Sequence, residues 1–268
     1  MEDYCYYKNF KIHYKVSGSG PAVVLLHGFT ESLDIWNDFT RDLAVSYRVI
    51  AVDLPGHGLS ECVAPVHTMD MMAACVKKVC DTLDIKQFIL IGHSMGGYVS
   101  LALAALFPAM VKGLGLFHSH AYADSAELLK NRMRTNNLIR KNHYNFLSGF
   151  IPSLFTPENQ MKYVDEINAL VQGSKKMNVD GVVAGNAGMA ERRDCTHILK
   201  NATYPVLFII GKQDTRLQFE KALEQVGLPS DSTALILEDV AHMGYLEARE
   251  KTFHAVKTFA DRCYHDIL

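Results

Sequence analysis

Three features are absent from this sequence: a long apolar run, a surplus of positive charge and a cysteine pattern typical of metal sites. No stretch reaches the ~18 consecutive apolar residues of a membrane-spanning helix. Lys and Arg total 27 against 29 Asp and Glu, a formal net charge of -2, and no basic stripe is present that would neutralise a series of phosphates. We therefore expect neither a membrane span nor nucleic acid as a partner.

The cysteines also argue against a secreted, disulfide-stapled protein. The six are scattered, at positions Cys5, Cys62, Cys75, Cys80, Cys195 and Cys263. A chain of 268 residues is large enough to fold without disulfides, so we expect free and mostly buried thiols. The first residues lack a cationic segment followed by an apolar run, the pattern of a secretory signal. The sequence thus predicts a cytoplasmic protein built on one core.

Short apolar runs and helical patterns alternate along much of the chain. The runs are Ala22 to Leu26, Val49 to Val52, Phe88 to Ile91, Gly113 to Phe117, Val206 to Ile210 and Ala234 to Leu237. Their length and composition predict strands buried on both faces of a parallel sheet. After Thr68, a plausible N-cap, apolar residues from Met72 to Leu83 share one helical face. The alternation predicts an α/β fold with a doubly wound sheet, in which ligands bind at the carboxyl ends of the strands.

Two segments depart from this alternation. Tyr4 to Val16 resembles an antiparallel hairpin, so the sheet should be mostly, not wholly, parallel. From 121 to 190 the strands disappear and charged helical patterns are interrupted by proline and glycine. We predict that 1–120 and 191–268 form the core and that 121–190 is an inserted helical cap. This cap should cover the strand ends without a core of its own, and restrict the substrate to short acyl groups.

The segment Gly92-His93-Ser94-Met95-Gly96 follows a predicted strand directly and precedes a predicted helix. This is the context of the G-x-S-x-G nucleophile elbow, in which a sharp turn exposes the serine hydroxyl at the top of the sheet. Gly92 and Gly96 suit that turn because a Cβ at either position would clash as strand and helix approach. Ser94 is therefore predicted to be a nucleophile.

With this motif the sequence resembles the α/β-hydrolase superfamily over nearly the whole chain outside the predicted cap. Leu26-His27-Gly28-Phe29 is similar to the family's oxyanion loop, and Asp53 to Ser60 to its loop after the fourth strand. The resemblance implies that the backbone N–H groups of Phe29 and Met95 form an oxyanion hole. It also implies a triad in the chain order serine, acid, histidine.

That order places the histidine after the last predicted strand and the acid after the strand before it. His242 and Asp214 stand at these positions. Asp214 would also suit a turn, and Asp124, after the sixth strand, is the alternative acid, whereas Asp239 is expected to shape the loop of His242.

The remaining candidates receive non-catalytic interpretations. His27 and His57 are expected to make structural hydrogen bonds, and His93 to point away from the nucleophile. His118 and His120 close the sixth strand and could line the pocket. Tyr98 is expected in the core, and Glu31 in a solvated loop.

The predicted function is that of a serine hydrolase, an esterase-like enzyme acting through an acyl-Ser94 intermediate on an ester, a thioester or a related small acyl compound. No metal or organic cofactor is implied. Serine at this position argues against haloalkane dehalogenases and epoxide hydrolases, which attack with an aspartate. Carbon–carbon bond hydrolases, acyltransferases and perhydrolases share the triad and stay open, and a small-molecule receptor or pseudoenzyme is the alternative from another class.

Overall fold

A computed structural model describes residues 1–265 as one eight-stranded sheet with helices on both faces. The strands are β1 (Glu2–Tyr7), β2 (Phe10–Ser17), β3 (Ala22–Leu26), β4 (Arg48–Val52), β5 (Phe88–His93), β6 (Val111–Phe117), β7 (Val206–Gly211) and β8 (Ser232–Leu237). Their order across the sheet is β1-β2-β4-β3-β5-β6-β7-β8. The first hairpin and the β2–β4 pair are antiparallel, and all other pairs are parallel. The predicted mostly parallel α/β fold is confirmed.

Twelve α-helices are described within residues 1–265. They are α1 (Asn37–Leu43), α2 (Met69–Thr82), α3 (Met95–Leu106), α4 (Ala126–Lys141), α5 (His143–Phe150), α6 (Pro157–Lys162), α7 (Val164–Ser174), α8 (Val179–Ala190), α9 (Thr196–Lys200), α10 (Phe219–Val226), α11 (Gly244–Glu247) and α12 (Arg249–His265). Short 3-10 helices span Leu33–Trp36, Pro108–Met110 and Pro152–Leu154. None of the helices in this part of the chain combines the length and the apolar character needed to cross a bilayer.

Alternate residues of the central strands pack into two separate hydrophobic layers. In β3, Val24 and Leu26 join one layer with residues of α2 and α3, whereas Val23 and Leu25 join the other with residues of α1 and α12. This alternation follows from the two-residue period of a strand. Thr68 caps α2 by accepting a hydrogen bond from the Met71 N–H at 3.2 Å, as the sequence predicts.

The last strand differs from the prediction. β8 has only Leu237 fully buried, although its apolar run predicts burial on both faces. The reason is its place at the sheet edge, where it pairs with β7 alone. An apolar run therefore identified the strand but not its position in the sheet.

Helices α4 to α8 all lie between β6 and β7 in the chain, which is the segment predicted as an insertion. Contrary to the expectation that this segment has no core of its own, Ile139, Met177, Val182 and Val183 form a small separate hydrophobic cluster. Other apolar residues, such as Leu147 and those near Leu154, instead extend the main core. The end of the predicted core range, 266–268, lies outside the described residues.

Candidate active site

The turn between β5 and α3 holds Ser94 in a sparsely populated backbone conformation, with φ 51° and ψ -114°. Neighbouring glycines make this turn possible. A Cβ on Gly92 would lie 2.3 Å from the carbonyl oxygen of Gly96, and one on Gly96 would lie 2.5 Å from that of Leu26. The Ser94 N–H donates to the carbonyl of Phe117 at 2.9 Å, which fixes the turn against β6. The geometry is that of the predicted elbow.

The structure brings Ser94, His242 and Asp214 together from three separate loops. His242 Nε2 lies 2.8 Å from Ser94 Oγ, and His242 Nδ1 lies 2.7 Å from Asp214 Oδ2. The Asp214 side chain is fully buried and that of His242 is 7% exposed. Burial opposes ionisation of Asp214, but the neighbouring His242 and His118 outweigh it and hold the pKa of this carboxyl well below its usual value. Asp214 is therefore an anion facing the ring nitrogen remote from Ser94.

Asp214 also makes the turn-forming contacts that suit its position after β7. Its Oδ1 accepts hydrogen bonds from the N–H groups of Arg216 and Leu217, at 2.7 and 3.1 Å. The two carboxylate oxygens thus have different partners: Oδ1 binds the backbone of the loop after β7, and Oδ2 faces His242. The alternative acid, Asp124, is instead paired with Arg132 and Arg192, and Asp239 is exposed.

His118 lies on the far side of Asp214. Its Nδ1 is 3.3 Å from Asp214 Oδ2, and the side chain is fully buried. Burial lowers the pKa of His118 to about 4, so the ring is neutral near pH 7. His118, Asp214 and His242 together have the composition of a metal-binding group, with ligand atoms within 4.8 Å of one another. However, Asp214 Oδ2 lies at hydrogen-bonding distance from His242 Nδ1, so both atoms already have a partner. That the protein uses no metal stays a prediction.

Backbone N–H groups hold the loop of His242 through hydrogen bonds to two partners, Leu154 and Glu247. The His242 N–H donates to the carbonyl of Leu154, in the inserted segment, at 2.9 Å. The N–H groups of Ala241 and Met243 donate to Glu247 Oε2, each at 3.1 Å. These contacts fix the backbone on both sides of the imidazole, and with it the position of the ring.

Phe29 and Met95, the residues predicted for the oxyanion hole, occupy the expected loops. Phe29 follows β3 and lines the cavity at Ser94, and Met95 is the first residue of α3. Among the hydrogen bonds of residues 1–265, neither N–H donates to a protein acceptor. Within the described residues both N–H groups are thus without a protein acceptor, as an oxyanion hole requires, and their role stays a prediction.

A cavity of about 220 Å³ opens at Ser94 and His242. Phe29 and Phe150 form part of its wall, with ring centroids 5.9 Å apart. Tyr98, predicted to lie in the core, is half-buried and lines this cavity, where its hydroxyl lies 3.1 Å from His120 Nε2. Helices of the inserted segment supply much of the remaining wall.

A profile of the α/β hydrolase fold matches residues 21–248 of this sequence. The chain belongs to the α/β hydrolase family. The dihydrolipoyllysine-residue acetyltransferase component of the acetoin cleaving system of Pseudomonas putida is 28% identical over 245 residues. That match covers 90% of this chain but 63% of the relative, so the chain spans less than two thirds of that protein.

Two further similarities cover most of both chains. The 2-hydroxy-6-oxononadienedioate/2-hydroxy-6-oxononatrienedioate hydrolase of Paraburkholderia phymatum is 29% identical, covering 82% of this chain and 81% of that protein. A malate-bound structure of a thermophilic esterase from Thermogutta terrifontis has a TM-score of 0.92 at 27% identity, with 98% and 99% of the two chains covered.

Within this α/β hydrolase, one buried group behind the triad escaped the sequence analysis. Glu31 is 4% exposed, not solvated, and its Oε2 lies 2.9 Å from His93 Nδ1. The same oxygen accepts the Gly28 N–H, and Glu31 Oε1 accepts the Tyr245 hydroxyl at 3.1 Å. His93, expected to point away from the nucleophile, places its Nε2 2.9 Å from the carbonyl oxygen of His242.

This arrangement links the loop after β3, the elbow and the loop of His242. Burial favours the neutral forms, but the two partners outweigh it, so the pKa of Glu31 is lowered and that of His93 is raised. The sequence offered one usable signal: an acid shortly after the predicted oxyanion loop and a histidine just before the nucleophile. Only the folded chain shows that they meet.

His27 and His57 make backbone contacts, as expected for structural residues. His27 Nε2 accepts the Leu54 N–H at 3.0 Å, and His57 Nδ1 lies 3.2 Å from the carbonyl oxygen of Pro55. Neither approaches Ser94 within hydrogen-bonding distance among the described contacts. Among the histidines whose side chains the structure describes, His242 is the one with a ring nitrogen at hydrogen-bonding distance from Ser94 Oγ.

Proposed function

We propose that this α/β hydrolase is a serine hydrolase that cleaves an ester, a thioester or a related small acyl compound through an acyl-Ser94 intermediate. The observation that carries the proposal is the continuous chain from Ser94 Oγ through His242 to Asp214, with contacts of 2.8 and 2.7 Å. The similarity to the Thermogutta terrifontis esterase supports ester chemistry.

The chemistry follows from that order of atoms. Ser94 Oγ attacks the acyl carbon while His242 Nε2 takes its proton, and the N–H groups of Phe29 and Met95 bind the oxygen that becomes negative. His242 then returns the proton to the leaving group, whose bond to the acyl carbon breaks. Water, deprotonated by His242, attacks the acyl-Ser94 ester and releases the acid and free serine. Asp214 keeps the Nδ1 proton in place and stabilises the imidazolium.

We also propose that the inserted helices form a cap over the cavity at Ser94. The cavity of about 220 Å³ is below the roughly 300–1,000 Å³ of pockets that hold drug-sized ligands, which favours a small acyl group. All six cysteines are unpaired thiols, which supports a cytoplasmic location because that compartment keeps thiols reduced.

A carbon–carbon bond hydrolase is the second candidate, because the relative from Paraburkholderia phymatum, which matches over most of both chains, is named as a hydrolase of an oxo-dienedioate, a compound without an ester bond. The same Ser94–His242 pair would serve it. Product analysis separates the two: ester substrates yield an acid and an alcohol, whereas hydrolytic carbon–carbon cleavage yields an acid and a second product that is protonated at the departing carbon.

Labelling with a fluorophosphonate tests the proposal directly. We expect stoichiometric modification of the wild type at Ser94, identified by mass spectrometry, together with hydrolysis of p-nitrophenyl acetate. Ser94→Ala should lose both, with an unchanged melting temperature, because the hydroxyl contributes chemistry and not packing. Exposed Ser46→Ala, in the turn before β4, provides a matched control that should keep both. A folded wild type that is neither labelled nor active would make the protein a receptor or pseudoenzyme.

A further inference from the structure

The cavity at Ser94 contains more positive than negative charge. Arginines 132, 192 and 216 line it, against the carboxylates of Glu31 and Asp124. Glu31 is committed to the buried His93, at 2.9 Å. The chain as a whole has a formal charge of -2, so this positive excess belongs to the cavity and not to the protein.

One carboxylate is shared by two guanidinium groups. Asp124, with a side chain 1% exposed, contacts Arg132 Nε through one oxygen and Arg192 Nη2 through the other, the latter at 2.6 Å. A single negative charge cannot neutralise both cations. The local potential also acts on His120: burial and then the neighbouring Arg192 lower the pKa of its imidazole to about 3, which keeps this ring neutral.

Of these two guanidinium groups, that of Arg192 is fully occupied by contacts with other residues of the protein. Its Nε donates to the carbonyl of Tyr122 at 3.2 Å, its Nη1 donates to that of Met189 at 2.9 Å, and its guanidinium lies 4.1 Å from the Tyr98 ring centroid. Its side chain is only 5% exposed. All three of its nitrogens are engaged, so Arg192 serves to fix Asp124.

Arg132 is the cation that remains available. Its side chain is 19% exposed, and its Nη1 donates to Asn186 Oδ1 at 3.1 Å. The amide of Asn186 in turn donates to the carbonyl of Arg132 at 2.9 Å, which fixes the orientation of the pair. Arg132 is thus a positioned guanidinium that lines the cavity. Its charge is only partly neutralised, because Asp124 also pairs with Arg192.

Arg216 adds a second cation from the triad side of the same cavity. It follows Asp214 by two residues, and its own N–H donates to Asp214 Oδ1 at 2.7 Å. The guanidinium lies 5.0 Å from the Phe150 ring centroid, and its Nη2 donates to the neutral Ser153 hydroxyl at 2.7 Å. Within residues 1–265 it forms no ion pair with a carboxylate.

We propose that Arg132 and Arg216 select acyl substrates that carry a free carboxylate in addition to the bond that is cleaved. This inference rests on the proposed function. Guanidinium groups match a carboxylate with two parallel hydrogen bonds, and a pair of them around a small cavity favours an anionic substrate over a neutral one of equal size. Hydrolysis itself stays with Ser94, and the two arginines orient the substrate.

The test compares two esters of the same acyl length, p-nitrophenyl hydrogen glutarate and p-nitrophenyl methyl glutarate, with spontaneous hydrolysis subtracted. We expect the wild type to show a kcat/KM at least about tenfold higher for the anion, because charge-assisted contacts are the stronger ones. Arg132→Gln and Arg216→Gln should each lower the anion-to-neutral ratio about tenfold, and Arg132→Lys should retain part of it. Raising NaCl from about 50 to about 500 mM should reduce the wild-type ratio.

Arg140→Gln is the matched control, since Arg140 lies on the same helix, is 58% exposed and pairs with Asp180 at 3.3 Å. It should keep the wild-type ratio. Melting temperatures of all variants separate a loss of selectivity from a loss of fold.

A wild type that cleaves both esters equally, or prefers the neutral one, overturns the inference, as does a preference that survives both arginine substitutions. In each of these cases labelling of Ser94 and hydrolysis of the neutral ester leave the proposed function standing. A protein that cleaves neither ester and is not labelled overturns the proposed function, and this inference with it.

Discussion

The sheet and the inserted helices use their residues in opposite ways. Every residue of β3, β5 and β7 is buried, whereas α4, with 16 residues, buries only Ile139. The strand ends place the proposed nucleophile, base and acid on backbone that cannot shift without disturbing the core. The helices present long polar side chains, among them Arg132, to the same cavity. The proposed chemistry thus lies where the fold is most constrained, and Arg132, one of the two arginines proposed to select the substrate, lies on a helix where sequence can vary at less cost in stability.

The sheet and the inserted segment are nevertheless in contact at the loop of His242. Leu154, in the inserted segment, accepts the His242 N–H at 2.9 Å, and Asn159 Nδ2 donates to Glu247 Oε1 at 2.8 Å. Glu247 in turn accepts the N–H groups on both sides of His242. The segment near Leu154 therefore supports the backbone of His242 directly, whereas α4 and α8 line the cavity through residues such as Arg132 and Asn186.

The sharpest way to test this division is to compare the two candidate acids. We expect Asp214→Asn to lower kcat for p-nitrophenyl acetate by about 10⁴, because an amide would stabilise the wrong imidazole tautomer. Asp124→Asn should lower kcat far less and mainly reduce the melting temperature, since it leaves the buried Arg192 and the partly exposed Arg132 without their carboxylate. Steady-state kinetics with both variants checks this. The reverse ranking would move the acid from the sheet to the loop after β6.

Acyl length tests the role of the inserted helices. A cavity of about 220 Å³ accommodates a short acyl group but not a long chain. Because one methylene group in a closed pocket changes selectivity by roughly 10–200-fold, kcat/KM should fall by at least about 100-fold between p-nitrophenyl butyrate and palmitate. Rates measured from acetate to palmitate give the profile. A maximum at the long-chain end would make the helices a lid over an apolar groove instead of a restrictive cap.

The strands could be predicted from sequence because their signal is local. The run Ala22 to Leu26 is β3 residue for residue, and the hairpin from Tyr4 to Val16 lies within β1 and β2. The elbow was equally accessible, since its glycines are required by backbone approach within a few residues. The exposure of β8 was not predictable, because it depends on the order of strands in the sheet.

Contacts between distant residues account for what was missed. Glu31 and His93 are 62 positions apart, and Asp124 and Arg192 are 68 apart by number, so neither pair leaves a spacing pattern. Glu31 on its own resembles a solvated loop residue, and Arg132 a charge on an exposed helical face. Their contacts form only when the loops after β3, β5 and β6 meet at the carboxyl ends of these strands.

Glu31→Gln addresses the smallest of the three effects, the support of the triad from behind. The substitution keeps the size of the side chain but removes the negative charge that faces His93 and anchors the Gly28 N–H. We expect kcat to fall about tenfold, since the oxyanion loop would lose part of its fixed geometry. Breaking a buried ion pair costs about 3–5 kcal/mol, so the free energy of unfolding should fall more clearly than the rate. Glu238→Gln, which removes an exposed partner of Lys212, should change neither.

The pH dependence of that loss distinguishes an ion pair from simple packing. Burial alone would lower the pKa of His93, but Glu31 raises it above its usual 6.5, so the stabilisation is complete below about pH 6.5 and is lost as the pH rises through the raised value. The pKa of Glu31 is lowered from 4.5, so its carboxylate stays ionised at about pH 5.5. In Glu31→Gln the contribution of Glu31 is lost, and although the His242 carbonyl and Asp214 still raise the pKa of His93, burial opposes its protonated form more strongly than in the wild type. The deficit of the variant in urea unfolding should therefore be largest near about pH 5.5 and shrink by about pH 9. A deficit that is equal at both pH values would mean that Glu31 supports the site by shape and hydrogen bonding alone, without the charge.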